Sequence, residues 1–310
     1  MTGTITPPLV LKEIIMGSSL CILIFAIIFA FPLLGVFALL FLPLPVLFFR
    51  LKLGRNSGAI IVAVSFIVLL IMTRGLAFDI LYFGSLLMTG FFLGECIEKH
   101  MTVERTMIFT GLGVVGSAFT AFGLYTVFQG QTMSAMVSDY LTRYFSLTAQ
   151  LYQNMGVEPG QIEALNALFL MILPGMFIVS FMATMWMNIL IIRKLLLKKG
   201  IVLSTMSHLN QYKAPDYLVW VVIALGILLF LPMEAPKYVS INCLIVLMLV
   251  YFFQGIAVVS YFFQKKGSPT VLKVFCYSLI AVQLYFLILV IGLGFFDNWI
   301  NFRKLGTPEQ

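Results

Sequence analysis

The stretch LNALFLMILPGMFIVSFMATMWMNILII, residues 165–192, contains no charged residue and ends against Arg193 and Lys194. A helix of about 20 mostly apolar residues crosses a bilayer, and this run is longer than that. Similar runs recur on both sides of it, from Ile14 to Phe296. Mean hydropathy is +1.07 and 10% of the residues are charged, against about 25% in a soluble domain. The fold class that follows is all-α, a polytopic integral membrane helix bundle. No stretch has the composition of a separate soluble domain.

The runs predict spans at Ile14–Phe31, Leu33–Phe49, Ser57–Thr73, Leu76–Ile97, Thr106–Phe128, Leu165–Ile192, Tyr217–Leu231, Tyr238–Phe263 and Val271–Phe296. Pro43 and Pro45 predict a kinked or re-entrant second span, so the count is eight or nine. The first run is long and no A-x-A pattern follows it. It reads as an uncleaved helix and not as a signal peptide. Between the fifth and sixth spans, Met133, Met136, Val137, Tyr140, Leu141, Tyr144, Leu151, Tyr152 and Met155 recur at helical spacing. They predict an amphipathic helix, either lying in the interface or forming a lid over an outward-facing cavity. The organisation expected is a six-helix membrane unit over 1–193, with the interfacial helix at 132–156. A basic cytoplasmic loop over 194–216 and a three-helix unit over 217–310 follow.

A net charge of +7 suggests nucleic acid in a soluble protein. Here the Lys and Arg residues cap apolar runs, where they set orientation, and no nucleic-acid partner is expected. Arg50, Lys52, Arg55, Lys99, Arg105, the basic residues from Arg193 to Lys213, and Lys265, Lys266 and Lys273 fall on one side when the N-terminus is cytoplasmic. Arg303 and Lys304 fall outside if the helix count is odd. This is the pattern of a multi-pass membrane protein with its N-terminus in the cytoplasm.

Catalytic sets are missing from the sequence. Gly111-Leu112-Gly113-Val114-Val115-Gly116 matches GxGxxG but lies inside a span with no strand before it. It reads as a smooth helix-packing face, as does Gly90-xxx-Gly94. Cys21, Cys96, Cys243 and Cys276 are isolated. His100 and His208 belong to no HExxH motif, and there is no GxSxG and no P-loop lysine. Neither an enzyme, a metal site nor a cofactor is expected. The polar positions inside apolar runs carry what signal there is. Asp79 sits near Arg74, and Asn188, Asn242, Gln254 and Gln283 lie in the later runs. Their amides either bond helix to helix or line a polar cavity. Glu95, Glu98 and Lys99 read as a solvated, charge-paired cytoplasmic turn, with Glu95 and Lys99 as i, i+4 partners.

From Pro174-Gly175 onward, one set of residues is distinctive: Trp186, Asn188, Pro215, Trp220, Asn242, the run Tyr251-Phe252-Phe253-Gln254-Gly255, and the ending Gly294-Phe295-Phe296-Asp297-Asn298-Trp299 through Arg303-Lys304. In these the chain resembles the YybS-like family of bacterial multi-pass membrane proteins, a domain of unknown function (DUF2232). The resemblance implies a polytopic inner-membrane fold and no particular chemistry. The front half is also loosely similar to the substrate-binding subunits of energy-coupling-factor vitamin transporters, six-helix bundles that work with separate ATPases. The function expected is solute binding or transport without an ATPase of its own, with Asp79, Asn188, Asn242 and Gln254 as solute contacts. Asp297, Trp299, Arg303 and Lys304 form a C-terminal motif, read as either a helix cap or a binding surface. The rival function is a non-transporting membrane scaffold. Expected partners are the lipid bilayer, a small-molecule solute and other membrane or ATPase subunits.

Overall fold

The computed structural model describes residues 7–73, 78–130, 132–198 and 209–303. These form α1 (Pro7–Ala30), α2 (Pro32–Leu39), α3 (Pro43–Leu53), α4 (Arg55–Met72), α5 (Phe78–Glu98), α6 (Val103–Gln129), α7 (Met133–Asn154), α8 (Pro159–Lys198), α9 (Tyr217–Leu228), α10 (Glu234–Lys265), α11 (Thr270–Val282) and α12 (Leu284–Ile300). No strand occurs among the described residues. Among the described residues, seven helical stretches are long and apolar enough to cross a membrane, or eight if the bent α11–α12 pair is one span. The chain divides into two compact units. One comprises residues 1–162 with 181–206, and the other 163–180 with 207–310. The division runs through α8.

In the first unit α1, α3, α4, α5 and α6 pack around Phe25, Leu42, Leu47, Ile61, Leu87 and Leu93, all buried. The second span is broken, as its prolines predict. Pro43 has no N–H, and the Leu44 N–H turns to the Phe41 carbonyl at 3.0 Å. The Leu40 carbonyl is left without a helical donor, and Asn188 from α8 supplies one, its Nδ2 donating at 2.8 Å. Of the GxGxxG glycines, only Gly113 packs closely, against the Phe92 ring. Gly111 and Gly116 meet nothing within 4 Å, which corrects the reading of all three as one packing face. Gly90 and Gly94 do pack, against Pro43 and Arg50 of α3. The amphipathic helix is α7, started by Thr132, whose hydroxyl accepts from the Ala135 N–H. None of its residues is buried.

In the second unit Pro174 interrupts the ladder of α8. The Gly175 N–H, which would ordinarily bond to Met171, donates instead to Asn242 Oδ1 at 2.6 Å. Asn242 Nδ2 donates to the Met171 carbonyl at 2.8 Å. One amide from α10 thus replaces the lost helical bond.

Two expected spans take another form. Tyr217–Leu231 yields the twelve-residue α9, shorter than a membrane crossing requires. Val271–Phe296 is not straight: α11 and α12 meet at 103° about Gln283. No proline or glycine marks that bend. Its cause is tertiary, because α12 is fixed against α10 and the segment before α9, where a straight continuation of α11 would not reach. Gln264, near the end of α10, accepts from Asn210 Nδ2 at 2.8 Å. Arg303, just past α12, donates to the Asn210 carbonyl at 2.9 Å. The end of α10, which leads into the bent pair, and Arg303, which follows it, therefore come to one residue, the arrangement of a re-entrant hairpin, and Arg303 joins the same end of this unit as Lys265.

α10 and α12 cross in backbone contact. A Cβ on Gly294 would run into the Tyr251 carbonyl and one on Gly255 into the Val290 carbonyl, whereas Gly292 faces open space. Gly294→Ala is expected to lower the thermal midpoint of the detergent-solubilised protein, by about 1–3 kcal/mol of overpacking. Gly292→Ala is expected to leave it unchanged or raise it slightly. Single cysteines placed at Asp216, Ser268 and Phe302 in a background lacking the native four should all react with an impermeant thiol reagent from the same side of the membrane. Phe302→Cys reacting from the opposite side would make α11–α12 a true span.

Candidate functional site

The close crossing of α10 and α12 places Gln254 against Asp297 and Asn298. Gln254 Nε2 donates to Asn298 Oδ1 at 2.8 Å and to Asp297 Oδ2 at 3.2 Å. Its Oε1 accepts from the Ala214 N–H at 3.0 Å. Past α12 the chain turns at Asn301, which adopts the left-handed conformation (φ 46) that asparagine tolerates. That turn carries Arg303 back toward Asp297, where its guanidinium donates to Oδ2 at 2.7 Å. The same guanidinium donates to the Asn210 carbonyl and, at 3.0 Å, to the Tyr212 carbonyl. The YFFQG run and the terminal motif, distant in sequence, thus form one centre.

The charges at this centre are buried, with the Arg303 and Asp297 side chains 0% and 2% exposed. Removing both ions from water costs several kcal/mol each, and their mutual attraction offsets this only with good geometry and further hydrogen bonds. Much of that requirement is met here, yet polar atoms remain. Asp297 Oδ1, Asn298 Nδ2, Arg303 Nε and the Tyr251 hydroxyl are buried without a hydrogen-bond partner among the described residues. Tyr251 is held in place by the edge-to-face Phe295 ring, 5.1 Å between centroids. The centre offers one anionic acceptor and two N–H donors in a buried environment, with the Tyr251 hydroxyl belonging to the residue one turn before Gln254 on α10. That set can bind a small polar group. It contains no nucleophile with an adjacent base.

The other sequence-derived positions fall elsewhere. Asn242, on α10 with Gln254, sits twelve residues earlier, about 18 Å along the helix. Its amide is occupied by α8. Asn188 belongs to the first unit, bonded to Leu40 and to the Thr184 carbonyl of its own helix. Asp79 is at the start of α5, but its side chain lies outside the described residues, as do His208 and Lys304. Trp299 is 53% exposed, with its ring 5.0 Å from that of Phe295. The structure therefore brings together Gln254, Asp297 and Arg303 and leaves the rest apart.

Sequence reasoning missed a second ionic centre. Arg50, read as one of the basic residues on the cytoplasmic side, is fully buried. It bonds Glu95 at 2.6 Å and Glu98 at 3.1 Å and lies 4.9 Å from the centre of the Phe91 ring. Lys99 and Arg55 also reach Glu95, at 3.1 and 3.6 Å. The available signal was Gly58 and Gly94. Side chains there would collide with the Arg50 stem and guanidinium.

The family described as "Predicted membrane protein (DUF2232)" matches residues 19–298. The chain belongs to that family. The matched region contains Tyr251, Gln254, Asp297 and Asn298, and Arg303 lies just beyond it. Comparison with curated proteins and with solved structures finds no match.

Breaking a buried ion pair from one side leaves an uncompensated charge. Asp297→Asn alone is expected to destabilise the solubilised protein by about 3–5 kcal/mol. The double variant Asp297→Asn/Arg303→Gln should lose clearly less than the sum of the single losses. Additive losses in a double-mutant cycle of thermal or denaturant unfolding would mean that the two groups are not coupled.

Proposed function

We propose that this member of the family is a solute-binding or transport-related membrane protein, with its site at Tyr251, Gln254, Asp297, Asn298 and Arg303. The observation that supports this reading most is the set of buried polar atoms around the Arg303–Asp297 pair that no described residue satisfies. Ionisable side chains within membrane segments are costly and rare, and where they occur they mark solute or ion pathways by default. The solute is small and polar, with an acceptor for the Tyr251 hydroxyl and Asn298 amide and a donor for Asp297 Oδ1.

On this reading the protein works by binding and not by catalysis. The sequence carries no ATP-binding motif, so energy comes from an ion gradient or a separate ATPase subunit. The membrane is the bacterial cytoplasmic membrane with the N-terminus inside, as the basic residues argue. A scaffold role is the competing reading, favoured by α7, which presents a whole helix with no buried residue.

Native mass spectrometry of protein extracted gently from its own membrane tests the proposal. A reproducible small-molecule adduct is expected, weakened about tenfold by Tyr251→Phe, a change that removes one hydroxyl and no observed bond. The absence of an adduct, or one indifferent to Tyr251→Phe and Asn298→Ala, would overturn it. A stoichiometric protein partner in place of the adduct would establish the scaffold.

A further inference from the structure

In the first unit α4, α5 and α6 enclose a groove of about 370 Å3. Its floor is made of small residues, among them Ala63, Gly84 and Ala118, and its walls include Phe66 and Phe91. Gly84 leaves the room that the Phe66 ring occupies. A Cβ there would stand 2.9 Å from it. The lining has two hydroxyls, and both donate to their own helices, Ser85 to the Leu81 carbonyl at 2.6 Å and Ser117 to the Val114 carbonyl at 2.9 Å. A polar solute entering this groove would lose its hydrogen bonds to water and recover few of them. An alkyl chain would lose none.

One end of the groove adjoins the ionic centre around Arg50. Phe91 lines the groove, and its ring also carries the Arg50 guanidinium at 4.9 Å. One helical turn further along α5 stands Glu95, and one turn beyond that, just past the end of the helix, stands Lys99. The ion-paired cations there are Arg50, Lys52, Arg55 and Lys99, against the carboxylates Glu13, Glu95 and Glu98. The cluster therefore holds one positive charge in excess. Arg55 and Lys99 are 69% and 58% exposed. Arg50 Nε and Nη1 are buried with no hydrogen-bond partner among the described residues. An apolar slot ending about one turn from Arg55 and two from Lys99 matches an amphiphile with a chain and an anionic head.

We propose that this groove binds an anionic glycerophospholipid, with an acyl chain between α4, α5 and α6 and its phosphate on Arg55 and Lys99. Basic sites between membrane helices hold such headgroups by charge. A zwitterionic lipid offers the same chain but no net charge for the excess cation. The site is independent of the centre at Asp297 and stands whether or not that centre binds a solute.

The test uses the full-length protein in nanodiscs of phosphatidylcholine with a minor fraction of phosphatidylglycerol, ejected for native mass spectrometry. Phosphatidylglycerol should remain bound in preference to phosphatidylcholine after correction for their abundance. Arg55→Gln/Lys99→Gln, both at exposed positions, should reduce that preference by about thirtyfold. Ala118→Phe, which fills the groove, should reduce retention of both lipids, and cooperative thermal unfolding checks that each variant is folded. Equal retention of the two lipids by the unaltered protein would overturn the proposal. So would phosphatidylglycerol retention unchanged by the charge variant.

Discussion

The absence of water in the bilayer core governs this structure. Every backbone group freed there, and every charge, needs a partner within the protein. Two prolines open the ladders of membrane helices, and in each case an asparagine from another helix takes the exposed group. Asn188 reaches the Leu40 carbonyl at the break before Pro43, and Asn242 bridges the Gly175 N–H and the Met171 carbonyl beside Pro174. In water such breaks could be solvated and would leave the rest of the sequence free. In lipid each one requires an amide at a matching depth on another helix. That coupling turns a flexible point into a specific tertiary contact.

The same constraint explains the pairing of glycine with buried charge. Arg50 fits between α3, α4 and α5 because Gly58 and Gly94 have no side chains to exclude it. Gly255 and Gly294 let α10 and α12 approach until Gln254, Asp297 and Asn298 share hydrogen bonds. Close approach of small residues is the usual way helices associate where no hydrophobic driving force separates lipid from protein. Here it has a second effect, setting the distance over which short polar side chains can meet.

Much of the fold was legible in the sequence because a bilayer demands length and apolarity, and both are one-dimensional properties. The broken second span was legible for a related reason, since proline acts locally. The bend at Gln283 was not, because its cause is the docking of α12 on residues far away in the chain. Nor was the burial of Arg50. A basic residue at the end of an apolar run looks the same whether it faces solvent or turns inward, and only the glycines opposite it carried a trace. The GxGxxG pattern shows the converse: three glycines in register with a motif, of which only Gly113 touches a neighbour closely. For the site, the sequence supplied Asp297 and Arg303 as parts of one C-terminal motif and Gln254 as a polar position apart from it. Their meeting depends on a helix crossing and on the left-handed turn at Asn301, neither of which has a local signature.

The two ionic centres differ in what remains after pairing, and that difference separates their roles. Arg50 faces carboxylates that are themselves partly exposed, Glu95 at 22% and Glu98 at 40%, with further cations around them. Such a cluster leaves charge within reach of groups outside the protein. Arg303 and Asp297 are closed off. Both are buried, a shared oxygen takes the guanidinium and the Gln254 amide, and the second carboxylate oxygen is left over. Replacing a buried ion pair with apolar residues is often neutral or stabilising, so stability alone is a weak reason to keep this one. The Asn298 amide nitrogen and the Arg303 Nε are likewise buried and unpartnered among the described residues. A polar centre left incomplete in this way gains most from a ligand that completes it.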